Sequence, residues 1–184
     1  MIRRNENVTC DINMEQIVIK EIKSKKGAKN IEAAAAKIWT EHYVPIIGLA
    51  QVRYMLDKYQ TAERIHEDII EGGYRYYAAF NDKTCVGYCA VKVSREDGNI
   101  FLSKCYVEKG FRKKGIARKF AEKAFRAAAK NGCGNVWLTV NKKNTNSIKV
   151  YEKLGFRVTD TIVTDIGGGF IMDDYIMTID IGRR

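Results

Sequence analysis

Apolar residues along the chain change their spacing twice, dividing it into a helical opening, a strand-rich middle and a mixed final third. Residues 15–22 alternate, with Ile17 and Ile19 on one face, and predict a first strand. Ile31, Ala34, Ala35, Ile38 and His42 recur at helical spacing, and Pro45, the only proline, is expected to end that helix. Val52, Met55, Leu56 and Tyr59 mark a second helix; Ile65 and Ile69 mark a third, stopped by Gly72-Gly73. Alternation then takes over at Tyr74, Tyr76, Ala78 and Phe80. Turns at Asn81-Asp82-Lys83 and Glu96-Asp97-Gly98 lead into strands over 84–93 and 99–107, so this middle region reads as an antiparallel meander.

The last third switches period again. Ala117, Phe120, Ala121, Ala124 and Ala128 form the apolar stripe of a helix that follows Gly115 and is capped by Asn131-Gly132. A strand over 135–141, a helix over 144–154 stopped by Gly155, and strands over 156–166 and 170–179 around Gly167-Gly168-Gly169 complete the chain. Strand, helix, strand forms a right-handed crossover, which sets 99–107 and 135–141 side by side and parallel. The predicted fold is α/β: one domain over 15–184, with a mixed, partly parallel twisted sheet flanked by helices, preceded by an extension over 1–14. Ligands in such sheets bind beyond the C-terminal ends of the parallel strands, here Val107 and Asn141.

At that edge stands Arg112-Lys113-Lys114-Gly115-Ile116-Ala117. Three cations, a small-residue turn and a helix start suit a phosphorylated ligand, because the first helical N–H groups lack partners and the helix dipole adds positive charge. A P-loop, Gly-x-x-x-x-Gly-Lys-Ser/Thr, is absent, and so is a three-glycine dinucleotide fingerprint. The segment fits Arg/Gln-x-x-Gly-x-Gly/Ala, and residues 144–156, from Asn144 through Ser147 and Tyr151 to Gly155-Phe156, fit Asn-x-x-Ala-x-x-x-Tyr-x-x-x-Gly-Phe with serine for alanine. On these two motifs, in this order and on these elements, the chain resembles the GNAT superfamily of acetyl-CoA-dependent N-acetyltransferases. The resemblance spans about residues 16–180 and is closest over 99–157.

The resemblance implies a GNAT-like fold, acetyl-CoA as donor, and acetylation of a primary amine of a small molecule, polyamine or peptide by direct attack in a ternary complex. It implies that the backbone of Cys105, Tyr106 and Val107 pairs with the pantetheine arm. The amides of Lys114, Gly115, Ile116 and Ala117, with Arg112 and Lys113, are implied to hold the pyrophosphate; simple surface charge is the alternative for Lys113 and Lys114. Tyr151 takes the general-acid role of its motif position, and a phenol of pKa about 10 suits protonation of a thiolate. Asn144 is expected to cap its helix beside the cofactor. The base is left open: 102–104 holds no carboxylate, and Glu41, His42, Asp173, Asp174 or a water each remain candidates. No histidine is placed near Cys105 by sequence, which disfavours an acyl-enzyme.

Composition narrows the setting. The chain is 46% hydrophobic and 29% charged, with no apolar run near the roughly 18 residues of a membrane span and no apolar stretch after its basic N-terminus. A cytoplasmic protein without a membrane partner is expected. Five cysteines form an odd count without metal-ligand spacing, and Cys85 and Cys89 are expected to share a strand face. With two histidines, a metal site is not expected. The formal charge of +10 is dispersed and accompanies no nucleic-acid-binding signature, which disfavours nucleic acid as a partner. A CoA-sensing or nucleic-acid-binding module on the same fold is the alternative function. A homodimer is compatible with the chain but not readable from it.

Overall fold

The alternating and helical segments assemble, in a computed structural model describing residues 17–94 and 98–182, into one seven-stranded mixed sheet with helices on both faces. The expected extension over 1–14, Cys10, and Glu96-Asp97 of the second turn lie outside the described residues. The elements are β1 (Ile17–Ile22), α1 (Lys25–Ile47), α2 (Leu49–Tyr59), α3 (Ala62–Ile70), β2 (Tyr74–Asn81), β3 (Thr84–Ser94), β4 (Asn99–Val107), α4 (Ile116–Asn131), β5 (Asn135–Asn141), α5 (Thr145–Lys153), β6 (Arg157–Gly167) and β7 (Phe170–Asp180). The strand order is β1-β2-β3-β4-β5-β7-β6, and β4 with β5 is the one parallel pair among the described residues.

Each face buries its own core. Phe120, Leu138, Phe156 and Met177 pack between the sheet and α4 and α5; Ile31, Ile38, Trp39, Val52, Ile65 and Tyr88 pack between the sheet and α1 to α3. The stripe of α4 begins at Ile116, which is buried, whereas Ala117 lies at the margin of that face. Such burial contributes about 1.5–3 kcal/mol per large side chain and is the main support of helices this short.

Two expectations are corrected. Pro45 does not end α1, which runs on to Ile47. In the last turn the missing proline N–H forfeits only one ladder bond. The chain instead breaks at Gly48, whose φ of 84° favours glycine and whose N–H closes on the Val44 carbonyl. Cys85 and Cys89 do not share a face. The β2–β3 register passes from Ala79 opposite Gly87 to Phe80 opposite Cys85, so Val86 is an extra residue. That bulge turns Cys85 toward α1–α3 and leaves Cys89, with Val86, on the α4 side. The Val86 carbonyl accepts a hydrogen bond from the Glu108 N–H at 2.9 Å, which ties the bulge to the chain leaving β4.

Beside that bulge the backbones of β3 and β4 come close. A Cβ at Gly87 would stand 2.8 Å from the Tyr106 carbonyl oxygen and 3.4 Å from the Val107 Cα. Gly87→Ala is therefore expected to displace the end of β4 and destabilise the protein by about 1–3 kcal/mol. Thermal unfolding of the variant against the parent measures this, and an unchanged midpoint contradicts it.

Candidate active site

β4 and β5 pair at two positions only, Ile100 with Val136 and Phe101 with Trp137. The Phe101 and Trp137 rings stack at that apex with centroids 4.1 Å apart. Immediately beyond it β4 bulges: Leu102 faces Val91 and Lys104 faces Ala90, so Ser103 is extra and bends the strand. β5 stays zipped to β7 along its whole length, from Asn135 to Asn141. The parallel strands therefore diverge, and a cavity of about 470 Å³ lies between them. Trp39 and Tyr43 of α1 reach it from one face of the sheet and Ser147 and Tyr151 of α5 from the other. From Leu102 onward, the β4 edge facing β5 has no strand partner among the described residues.

The α1 side of this cavity is an aromatic wall. Trp39 stacks on Tyr43 at 4.6 Å, and Tyr106 lies edge-on to both, at 5.3 and 5.9 Å. The Trp39 Nε1–H donates to the Tyr88 hydroxyl at 3.2 Å, which donates to Gln60 Oε1 at 2.9 Å, so the indole N–H is satisfied.

On the α5 side Tyr151 lines the cavity together with Cys105 of β4. Burial raises the Tyr151 phenol well above its ordinary value, so it stays protonated through the neutral range. Burial also pushes the Cys105 thiol up to about 12, which keeps it S–H and removes the thiolate that an acyl-enzyme would need. Asn144 caps α5 by accepting from the Ser147 N–H at 3.3 Å; its Oδ1 also meets His42 Nε2 at 3.2 Å, and its Nδ2 donates to the Tyr43 hydroxyl at 3.4 Å. One asparagine thereby joins α1 to α5 across the gap.

Among the open candidates for a base, the structure separates Asp174 from the rest. Asp174 lines the cavity, is 8% exposed, and its Oδ1 has no hydrogen-bond partner. Burial raises its pKa to about 6, although the Asn141 amide opposite it on β5 acts to lower it. Asp173 points to the other face, half exposed and paired with Lys142. Glu41 and His42 line a separate hollow of about 280 Å³ with Lys109, Arg112 and Lys143. Burial and the Arg112 charge lower the His42 pKa, so that ring is neutral at physiological pH. Sequence marks Asn141 only as the end of its strand; it stands outside both motifs, and the β5–β7 register brings it to Asp174.

The cationic loop lies where β4 ends. Lys109–Phe111 form a short 3₁₀ turn, and the Arg112 Nε–H folds back onto the Val107 carbonyl at 3.0 Å, anchoring the loop. Lys113, with φ of 61°, and Gly115, with φ of 77°, are both left-handed, and space above Gly115 is open for 4 Å from an ideal Cβ. A non-glycine residue in this region stores local strain. α4 then starts without a side-chain cap, and its first ladder bond runs from the Lys119 N–H to the Gly115 carbonyl. The N–H groups of Ile116, Ala117 and Arg118 precede that bond and have no place in the ladder. The Lys113 side chain is exposed, while Lys114 lies over the Phe111 ring at 5.5 Å.

A sheet opened between two parallel strands beside an uncapped, cationic helix start suits a ligand with an extended arm and a phosphorylated end. The profile of the acetyltransferase (GNAT) family matches residues 36–156, and the chain belongs to that family. Acetyl-CoA is the acetyl donor of these enzymes. An uncharacterized N-acetyltransferase of Mycobacterium tuberculosis is 27% identical over 154 residues, covering 84% of this chain and 97% of its own. The N-alpha-acetyltransferase MAK3 of Arabidopsis thaliana is 24% identical over 148 residues, covering 74% of this chain and 73% of its own. In fold, the chain is similar to the PaiA N-acetyltransferase of Thermoplasma acidophilum solved with coenzyme A, at a TM-score of 0.74 and 21% identity over 89% of this chain and 99% of that one. Among the described residues no helix is long and apolar enough to cross a membrane.

Asp174 titrates near 3.9 in an unfolded chain and at about 6 in the fold. The folded state therefore binds the extra proton between those values, and stability falls as pH rises from about 4 to about 6, by on the order of 3 kcal/mol. Asp174→Asn is expected to match the parent at pH 4 and to unfold at a higher temperature at pH 7. Thermal unfolding across this range checks it; parallel curves at every pH contradict it.

Proposed function

We propose that this acetyltransferase moves an acetyl group from acetyl-CoA to a primary amine by direct attack, with Asp174 as base and Tyr151 as acid. The observation that supports this most is that a buried carboxylate with a free oxygen and a protonated phenol line one cavity, at the opening of the sheet.

The residues present fit the donor. The β4 edge at Cys105, Tyr106 and Val107 has no strand partner and, apart from the Val107 carbonyl that Arg112 holds, is open to an extended amide chain that would lie along it as an added strand. The loop of Arg112, Lys113 and Lys114, with the N–H groups of Lys114, Gly115, Ile116 and Ala117 at the uncapped start of α4, suits a pyrophosphate. Asn144, at the junction of α1 and α5, borders that path. When bound, acetyl-CoA supplies an activated acyl carbonyl.

The protein's own part is proton traffic. Asp174, with a pKa of about 6, is ionised at neutral pH and takes a proton from the incoming amine. Its Oδ1 is the atom free to do so. Tyr151, held as O–H, gives its proton to the departing thiolate. Cys105, on the same cavity wall, stays a thiol. The rings of Trp39, Tyr43 and Tyr106 give the cavity an apolar wall, which strengthens the charge interactions beside it.

Coenzyme A at a hundredfold excess over its Kd is expected to stabilise the protein by about 2.7 kcal/mol, read as a rise in Tm. Tyr151→Phe should lower kcat by about 10²-fold or more while the CoA Kd, measured by calorimetry, stays within a few-fold. For the parent, kcat/KM should rise with pH through an apparent pKa of about 6, and Asp174→Asn should erase that limb. Full turnover in either variant removes that residue from its role.

A further inference from the structure

The cavity carries a second polar cluster that neither the donor nor the proton traffic uses. Arg64 and Asp68 of α3, Tyr76 of β2 and Lys104 of β4 meet where the lining leaves the aromatic wall. Asp68 is satisfied without Lys104: its Oδ1 accepts from the Arg64 Nε–H at 3.0 Å and its Oδ2 from the Tyr76 hydroxyl at 2.7 Å. Lys104 reaches Oδ2 only at 3.5 Å, the outer limit of a hydrogen bond. Its side chain is 11% exposed, and its ammonium lies over the Tyr74 and Tyr76 rings at 5.4 and 5.1 Å.

Two cations thus surround one carboxylate in a half-enclosed space, leaving an excess of one positive charge. Ammonium groups have three donors, and a surplus one held this deep is costly unless an acceptor meets it. Burial accordingly holds the Lys104 pKa below the ordinary lysine range, and an anion beside it would raise it again. Asp174 lines the same cavity and carries the opposite sign. The two charges ask opposite things of a ligand: an amine toward Asp174, an anion toward Lys104 and Arg64.

We propose that the acceptor is an amine bearing an anionic group, a carboxylate or phosphate, which Lys104 and Arg64 bind while its amine faces Asp174. This rests on the acetyl-transfer reading above and names the substrate class for the same cavity. An α,ω-diamine places a second cation against Lys104 and is disfavoured; a plain alkylamine leaves Lys104 as it is.

Calorimetry on the full chain with CoA bound tests binding apart from turnover. The probes are ω-aminoalkanoates, aminoalkyl phosphates, n-alkylamines of the same lengths and α,ω-diamines. In at least one anion-bearing series, binding about tenfold tighter than the alkylamine of equal length is expected, with diamines weakest; which series it is distinguishes carboxylate from phosphate. Lys104→Gln should erase the difference. Arg64→Gln, a change at a half-exposed side chain, should reduce it and serves if the first variant does not fold. Equal affinities, tighter diamines, or a preference that survives both substitutions overturns the proposal. Acetyl transfer to plain alkylamines with no anion preference overturns it while leaving the reaction standing. An anion preference without any transfer overturns the reaction and leaves the anion site in place.

Discussion

A parallel strand pair that holds for two residues and then opens leaves backbone donors and acceptors unpaired in the middle of a seven-stranded sheet. Such groups are costly when buried, so a gap of this kind persists only if the strands cannot close it and something else occupies it. Both strands are held from behind. β5 is paired residue by residue with β7, and β4 with β3 out to Val107. The Phe101–Trp137 stack marks the apex, and the extra residue at Ser103 turns β4 away from its neighbour. The site follows from this divergence: helices on opposite faces send side chains to one cavity only because the sheet between them is open.

Keeping that opening polar has a cost. Among the described residues, three buried side-chain atoms lack a hydrogen-bond partner, and two belong to this region: Asp174 Oδ1 in the cavity and Trp137 Nε1 at the apex residue. An unpaired polar atom of this kind costs about 1–3 kcal/mol, so the cavity is maintained against stability, not for it. The surrounding groups are correspondingly well tied. Asn144 meets three partners on two helices, and the Trp39–Tyr88–Gln60 chain fixes the aromatic wall. The deep cores that flank the sheet supply the stability this arrangement draws on.

Much of the architecture is legible in local patterns. Helical stripes at 31–42 and 116–128, alternation at 74–80 and the Gly167-Gly168-Gly169 turn all report on residues within a few positions of each other. The errors arise where local rules meet a tertiary compensation. Pro45 is a helix breaker by itself, yet in a final turn it removes one bond and the helix continues to Ile47. Cys85 and Cys89 share a face on a regular strand, and the inserted Val86 separates them. Nothing in the residues 84–89 announces that bulge, because it answers to the strands on either side.

The site divides the same way. The loop 112–117 and the segment 144–156 are contiguous, so their residue types and spacing alone carry the resemblance to the family, and the sequence by itself determined the class of donor and the position of Tyr151. The choice among Glu41, His42, Asp173 and Asp174 was beyond it, since proton affinity depends on burial and partners contributed from far along the chain. Tertiary structure alone decided that Asp173 faces Lys142 and Asp174 faces Asn141 and the cavity, by the alternation of β7 against β5. It also carried Arg64, Asp68, Tyr76 and Lys104, three elements apart in sequence, to one wall. Local chemistry is written in neighbouring residues, but charge and pKa are properties of a surrounding, and only the folded sheet supplies one.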